Sequence, residues 1–163
     1  MLQVRRIESI LVAETVAEYD DSIEKVTDSI TAANIFRTII GNSPREIFGV
    51  LLLGGKHNVI GYEQISVGTV NSSLVHPREV FGSAVRLGAV AIIVAHNHPS
   101  GNPEPSPEDV DVTARLQKSG KLLGISMLDH IIVGEEHFSS FSGNWSIESI
   151  PSDTEKGNIA SEL

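Results

Sequence analysis

The chain contains no cysteine. That excludes disulfides, thiolate metal sites and cysteine nucleophiles. Long hydrophobic runs are also missing, and none approaches the roughly 18–20 residues that span a bilayer. No membrane partner is therefore expected. The N-terminal stretch MLQVRRIESILVAETVAEYDD turns acidic at once and lacks a signal-peptide cleavage pattern. Together with a cysteine-free composition, which fits a reducing compartment, this makes the cytoplasm the expected location. Internal repeats and low-complexity tracts are absent. Basic residues are in deficit, 12 against 21 acidic ones, for a net charge of −9. Bulk attraction to nucleic acid is not expected of such a chain, because phosphate binding needs clustered Lys and Arg. The acid is concentrated at the ends: residues 1–30 hold seven acids and three bases, and residues 142–163 hold four and one. Acidic ends read as solvated or partner-facing segments.

What remains is an ordinary globular composition. Of 163 residues, 40 % are apolar, enough for one domain with a sizeable core. Residues 1–30 form an acidic segment, with the weak alternation of a short strand in IESILVAETV. TAANIFRTII (31–40) has a helical apolar face, with Gly41 to close it. IFGVLLL (47–53), GGKHN (54–58) and VIGYEQISVG (59–68) read as strand, turn and returning strand, with glycines where positive φ is cheap. HPREVFGSAVRLG (76–88) has a proline start, a glycine stop and a stripe of Val80, Phe81, Ala84, Val85 and Leu87. AVAIIVA (89–95) reads as a strand covered on both faces. SPEDVDVTARLQKSG (106–120) reads as a helix stopped by Gly120. LLGISMLDHIIVG (122–134) and FSSF (138–141) suggest a strand pair or a bent strand. Residues 142–163 read as a flexible tail, leaving 31–141 as the folded domain. The alternation predicts an α/β fold with a mixed sheet packed between helices.

The stretch HNHPSGNPEPSPED (96–109) carries the most chemistry. His96 and His98 are at i and i+2, so in an extended chain they point to one side and can meet one metal ion. They stand at the carboxyl end of an apolar strand, where ligands of open α/β sheets gather. Against this, a single histidine is more often a satisfied polar residue. Ser106 and Asp109 begin a helix and can form a variant capping box, with aspartate in the usual glutamate position. They also share a helix face and can point at one site. Four prolines stiffen the connector and reduce the entropy lost in holding Asp109 near the histidines. His, His and Asp leave a tetrahedral zinc one open position, a layout suited to hydrolysis.

Such a site needs a general base. Glu63, on the alternation face of VIGYEQISV with Gly61 and Ile65, is the candidate, because a carboxylate on an apolar face needs a partner. A bulge at Gly61 that turns Glu63 outward is the alternative. His57, His76 and His137 read as turn, helix-start and exposed residues. His130, in LDHIIV, reads as a core histidine bonded to backbone rather than a support behind a ligand.

These residues resemble a known pattern. His-x-His-Pro, a spacer and Ser-x-x-Asp, with a glutamate upstream, fit the JAMM signature of MPN+/JAB metallopeptidases. EQISVGTVNSSLVHPREVF, AIIVAHNHPSGNPEPSPEDVDVT and GKLLGISMLDHIIVG are similar to the RadC family of bacterial proteins. The resemblance covers roughly residues 31–141. It implies a cytidine-deaminase-like three-layer sandwich. It implies one zinc ion held by His96, His98 and Asp109, Glu63 as the catalytic base and Ser106 as the group that stabilises the oxyanion. The implied activity is hydrolysis of peptide or isopeptide bonds, with a peptide or protein as substrate. The alternative is a non-catalytic or DNA-repair-associated RadC-like interaction protein. Longer RadC proteins carry an N-terminal helix-hairpin-helix-like region, for which the first 30 residues are too few, and this weakens a nucleic-acid role. A zinc nucleoside deaminase shares the implied fold but needs a Cys-x-x-Cys pair.

Overall fold

The computed structural model of the protein describes residues 25–68 and 75–150. The weak strand expected in residues 7–16, most of the acidic segment and residues 151–163 lie outside the described residues. The order is α1 (Ser29–Ile40), β1 (Glu46–Leu53), β2 (Val59–Gly68), α2 (Pro77–Leu87) and β3 (Ala91–Asn97), then α3 (Pro107–Leu123), β4 (Ser126–Val133), β5 (His137–Ser140) and β6 (Ser146–Ser149). The strands form one mixed sheet in the order β2-β1-β3-β4-β5-β6. Among the described residues only β3 and β4 are parallel, and α3 supplies the crossover that parallel neighbours require. Among the described residues, no helix is long and apolar enough to cross a membrane.

The expected α/β sandwich is present, with α1 on one face and α2 and α3 on the other. Leu51, Leu53, Ile93 and Ala95 pack with Phe36 and Ile40 of α1. Phe48, Val50, Leu52, Ile92 and Val94 pack with Phe81 and Leu116 on the opposite face. β1 and β3 are thus covered on both sides, which explains their unbroken apolar runs. Each large aliphatic side chain buried this way contributes roughly 1.5–3 kcal/mol. The same alternation continues past the apolar run. His96 follows Ile92 and Val94 onto the α2/α3 face, and Asn97 follows Ile93 and Ala95 onto the α1 face.

Several boundaries differ from the sequence reading. Helix α1 starts at Ser29, because the Asp28 side chain accepts a 2.7 Å hydrogen bond from Thr31 N–H. In the β1–β2 turn the positive φ falls on His57, at 60°, rather than on a glycine. Helix α3 runs through Gly120 to Leu123 and ends on Gly124, at φ 71°. Gly120 serves close packing instead: a Cβ there would stand 2.4 Å from the Ile125 carbonyl oxygen and 3.1 Å from Phe81 Cζ. Leu122 and Leu123, expected to open a strand, therefore form the last turn of α3 and are exposed, as is Val85 of α2. The expected strand pair is β4 with β5, antiparallel. Part of the expected tail is ordered as β6, which pairs antiparallel with β5. The buried Asp129 accepts hydrogen bonds from Ser29, Ser140 and Ser142, tying the start of α1 to β4 and β5.

Candidate metal centre

Three elements bring polar side chains to one end of the sheet. The first is the end of β3, where His96 is fully buried. The chain then leaves the strand, but His98 N–H still bonds the Val133 carbonyl of β4, at 2.9 Å. His98 is thereby held one strand step beyond His96 and on the same side. The connector that follows is tied down: His98 Nδ1 donates to Asn102 O (2.7 Å), and Ser139 Oγ donates to Pro103 O (2.6 Å). The second element is the first turn of α3, which carries Asp109. The third is the start of β1, which carries Glu46.

The Asp109 carboxylate closes the helix cap and also reaches the imidazoles. Its Oδ2 accepts from Ser106 N–H at 2.7 Å, and Ser106 Oγ accepts from Asp109 N–H at 3.2 Å. That is a complete capping box. Its Oδ1 is free of the cap and stands 3.1 Å from His96 Nε2, while Oδ2 is 3.6 Å from His98 Nε2. His96 Nε2 and His98 Nε2 are 3.0 Å apart. Ser106 thus begins α3 beside the cluster, with its hydroxyl oxygen used by the cap.

The hydrogen-bond network assigns the tautomers. Thr113 Oγ1 donates its one proton to Asp109 O, at 2.6 Å. Toward His130 Nδ1, also at 2.6 Å, it can only accept, so His130 carries its proton on Nδ1. His130 is fully buried, and that burial pushes its pKa well below the ordinary histidine value, so it is neutral. Its Nε2 is then an acceptor, and His96 Nδ1, 2.9 Å away, must donate to it. His96 Nε2 is the ring nitrogen left to face the cluster. His98 follows the same logic, since its Nδ1 donates to a carbonyl. Two imidazole Nε2 atoms and a carboxylate therefore converge on one point. A shared cation, a proton or a metal ion, satisfies such a set.

Electrostatics agree. Burial acts to raise the Asp109 carboxyl pKa, but the adjoining His96 and His98 outweigh it and hold the group far below the carboxylate range. Burial acts to lower His98, but Asp109 outweighs that and raises it. The field that draws a proton to His98 favours a cation of any kind at this point.

Glu46 was missed by the sequence reading. Its Oε1 lies 4.0 Å from His96 Nε2 and 3.9 Å from His98 Nε2, and its side chain is 19 % exposed. Glu46, His96 and His98 offer ligand atoms that all lie within 4.8 Å of one another, so they form a group able to hold a metal ion. Glu63 is not brought to this cluster. It pairs with Val50, faces α2 and accepts a hydrogen bond from Ser83. It lines a separate cavity with Arg78 and Arg86, in which neither imidazole nor Asp109 takes part. The ladder irregularity between Leu52 and Leu53 lies beside Gly61, as the bulge alternative expected, yet Glu63 turns to α2 and not to solvent. His130 also departs from expectation: its ring bonds Thr113 and His96. Trp145, from the turn before β6, covers its edge at 5.6 Å.

Residues 26–146 match the family described as the RadC-like JAB domain. A UPF0758 protein of Geotalea uraniireducens is 49 % identical over 121 residues, covering 74 % of this chain and 53 % of the relative. One of Alkaliphilus oremlandii is 57 % identical over 91 residues, 56 % of this chain and 39 % of the relative. One of Rubrobacter xylanophilus is 54 % identical over 105 residues, 64 % and 46 %. The chain spans about half the length of the curated relatives it matches. The match covers every described element up to the start of β6, including all of the residues that converge at the end of β3. On that footing the chain belongs to the RadC-like JAB domain family.

Proposed function

We propose that the protein is a metal-dependent hydrolase of the JAMM type, acting on peptide or isopeptide bonds. The observation that carries this reading is the convergence of His96 Nε2, His98 Nε2 and the Asp109 carboxylate at 3.0–3.6 Å. These donors suit zinc, with one open position. The ion, when bound, supplies a Lewis acid that acidifies water and polarises a carbonyl. Asp109 is the third ligand in preference to Glu46 because it is closer, more buried and fixed by its capping box.

Glu46 stands off the imidazoles at about 4 Å and is partly open to solvent. It is the general base in place of Glu63, taking a proton from the attacking water and returning one to the leaving amine. Ser106 Oγ accepts from Asp109 N–H, which leaves its hydroxyl proton to donate to the developing oxyanion. The net charge of −9 weighs against the alternative of unaided nucleic-acid binding. The test is metal analysis with a peptide panel. The wild type should hold one zinc per chain and lose hydrolysis on chelation, and His98→Ala should hold none. A wild type that stays metal-free after purification with zinc present sinks the reading.

A further inference from the structure

Between the two imidazoles stands Asn97, whose side chain turns to the other face of β3. It is 1 % exposed. Its Oδ1 accepts from Ile47 N–H at 2.7 Å, and its Nδ2 donates to Ser43 O at 3.2 Å and to Arg45 O at 3.1 Å. The Arg45 carbonyl belongs to the peptide bond before Glu46, and the Ile47 N–H belongs to the one after it. One carboxamide thus holds both peptide units that flank the Glu46 Cα. The β1–β3 ladder ends at Phe48↔His96, and the Asn97 side chain continues it where backbone pairing to β3 stops. Ser43 stiffens the same loop, with its Oγ donating to Arg45 O at 2.7 Å.

We propose that Asn97 is a positioning residue that fixes the Glu46 carboxylate relative to His96 and His98. The inference rests on the reading of Glu46 as general base. The physical reason is economy of linkage: Asn97 is covalently next to both imidazole-bearing residues and hydrogen-bonded on both sides of the base. One strand end therefore sets the two halves of the site against each other. A misplacement of about 1 Å in such a group can cost on the order of 100-fold in rate.

The experiment uses the zinc-loaded full chain and a double-mutant cycle of Asn97→Ala with Glu46→Gln. Asn97→Ala should keep the wild-type zinc content and KM, while kcat falls roughly 10- to 100-fold. In the Glu46→Gln background the same change should lower kcat no further, because there is no base left to misplace. Unchanged kcat in Asn97→Ala, or an equal loss in both backgrounds, overturns the proposal, since a merely structural residue acts alike in both. Asn97→Ser, which retains a hydroxyl, replaces Asn97→Ala if the latter does not fold. Failure of the wild type to cleave any peptide counts against the hydrolase reading instead. The positioning is then decided by carboxyl 13C NMR of the zinc-loaded protein. Asn97→Ala must shift or broaden the Glu46 Cδ signal and leave the His96 and His98 ring signals in place. An unmoved Glu46 signal overturns it.

Discussion

Thr113→Val tests the tautomer chain behind His96. The two side chains are nearly the same volume, so the 1 %-exposed site is not hollowed out. What disappears is the hydroxyl that accepts from His130 Nδ1–H and donates to Asp109 O. His130 then has two states open to it. It can keep its Nδ1 proton buried and unpaired, at a cost of about 1–3 kcal/mol. Or the proton moves to Nε2, which turns His130 into a donor toward His96 Nδ1 and forces the His96 proton onto its own Nε2. That proton would point into the cluster, where an entering metal must displace it. Either route weakens the site, and support residues behind ligands typically cost 10–100-fold in metal affinity, or about 1.4–2.7 kcal/mol. The assay is a zinc competition titration against a chromogenic chelator, with urea unfolding of the metal-free protein alongside. Thr113→Ser retains the hydroxyl and should keep zinc affinity near the wild type, although it loses a methyl group. If Thr113→Val binds zinc as tightly as the wild type, the Thr113 hydroxyl does not set the His96 tautomer.

Other outcomes follow from the same geometry. Zinc should raise the thermal midpoint of the wild type and leave that of Asp109→Asn unmoved, since only the former has a ligand set that binds the folded state; calorimetry with and without zinc reads this. Glu46→Gln should retain zinc and lose on the order of 100-fold or more in turnover, while Glu63→Gln should turn over at the wild-type rate; the reverse pattern would restore Glu63 as the base. Gly120→Ala should destabilise by roughly 1–3 kcal/mol in urea unfolding, because its Cβ meets the Ile125 carbonyl at 2.4 Å, and this outweighs the gain of about 1 kcal/mol in helix propensity. Ser106→Ala should cost about 1 kcal/mol of stability through loss of the cap on Asp109 N–H; a stability equal to the wild type would show the cap to be dispensable.

The fold was legible wherever a residue's own neighbours decide its state. The apolar run 89–95 declared a strand covered on both faces, and β3 is that strand. The β1–β2 hairpin and the proline start of α2 were readable for the same reason. The readings that failed were those where a distant element decides. Gly120 has the look of a helix stop, yet what selects glycine there is the approach of Phe81 and Ile125. Residues 146–149, SIES, are mostly polar and few, and nothing local makes them a strand. They become β6 because β5 offers an edge to pair with.

The candidate site divides along the same line. His96, His98, Ser106 and Asp109 lie within fourteen residues of chain, so strand alternation and helix-cap chemistry were enough to group them. Glu46, the proposed base, and the buried support were not, because each is tied to the cluster through the sheet. Glu46 is fifty positions before His96 in the sequence. It reaches the imidazoles because antiparallel β1 and β3 set Phe48 opposite His96, which leaves the start of β1 at the end of β3. Glu63 belongs to the same hairpin, but its register partner is Val50, further from the end of β1 that carries Glu46, and it sits one strand farther out. A hairpin with a carboxylate on each strand offers two bases to the eye, and only the β1–β3 register distinguishes them. His130 reads locally as a core histidine, which it is. Its second role exists because the parallel β3–β4 register sets it opposite Val94, within reach of His96 and of Thr113 on the crossover helix. A candidate ligand set carried by one loop can be read from spacing, whereas the groups packed behind and beside it are written in strand pairing.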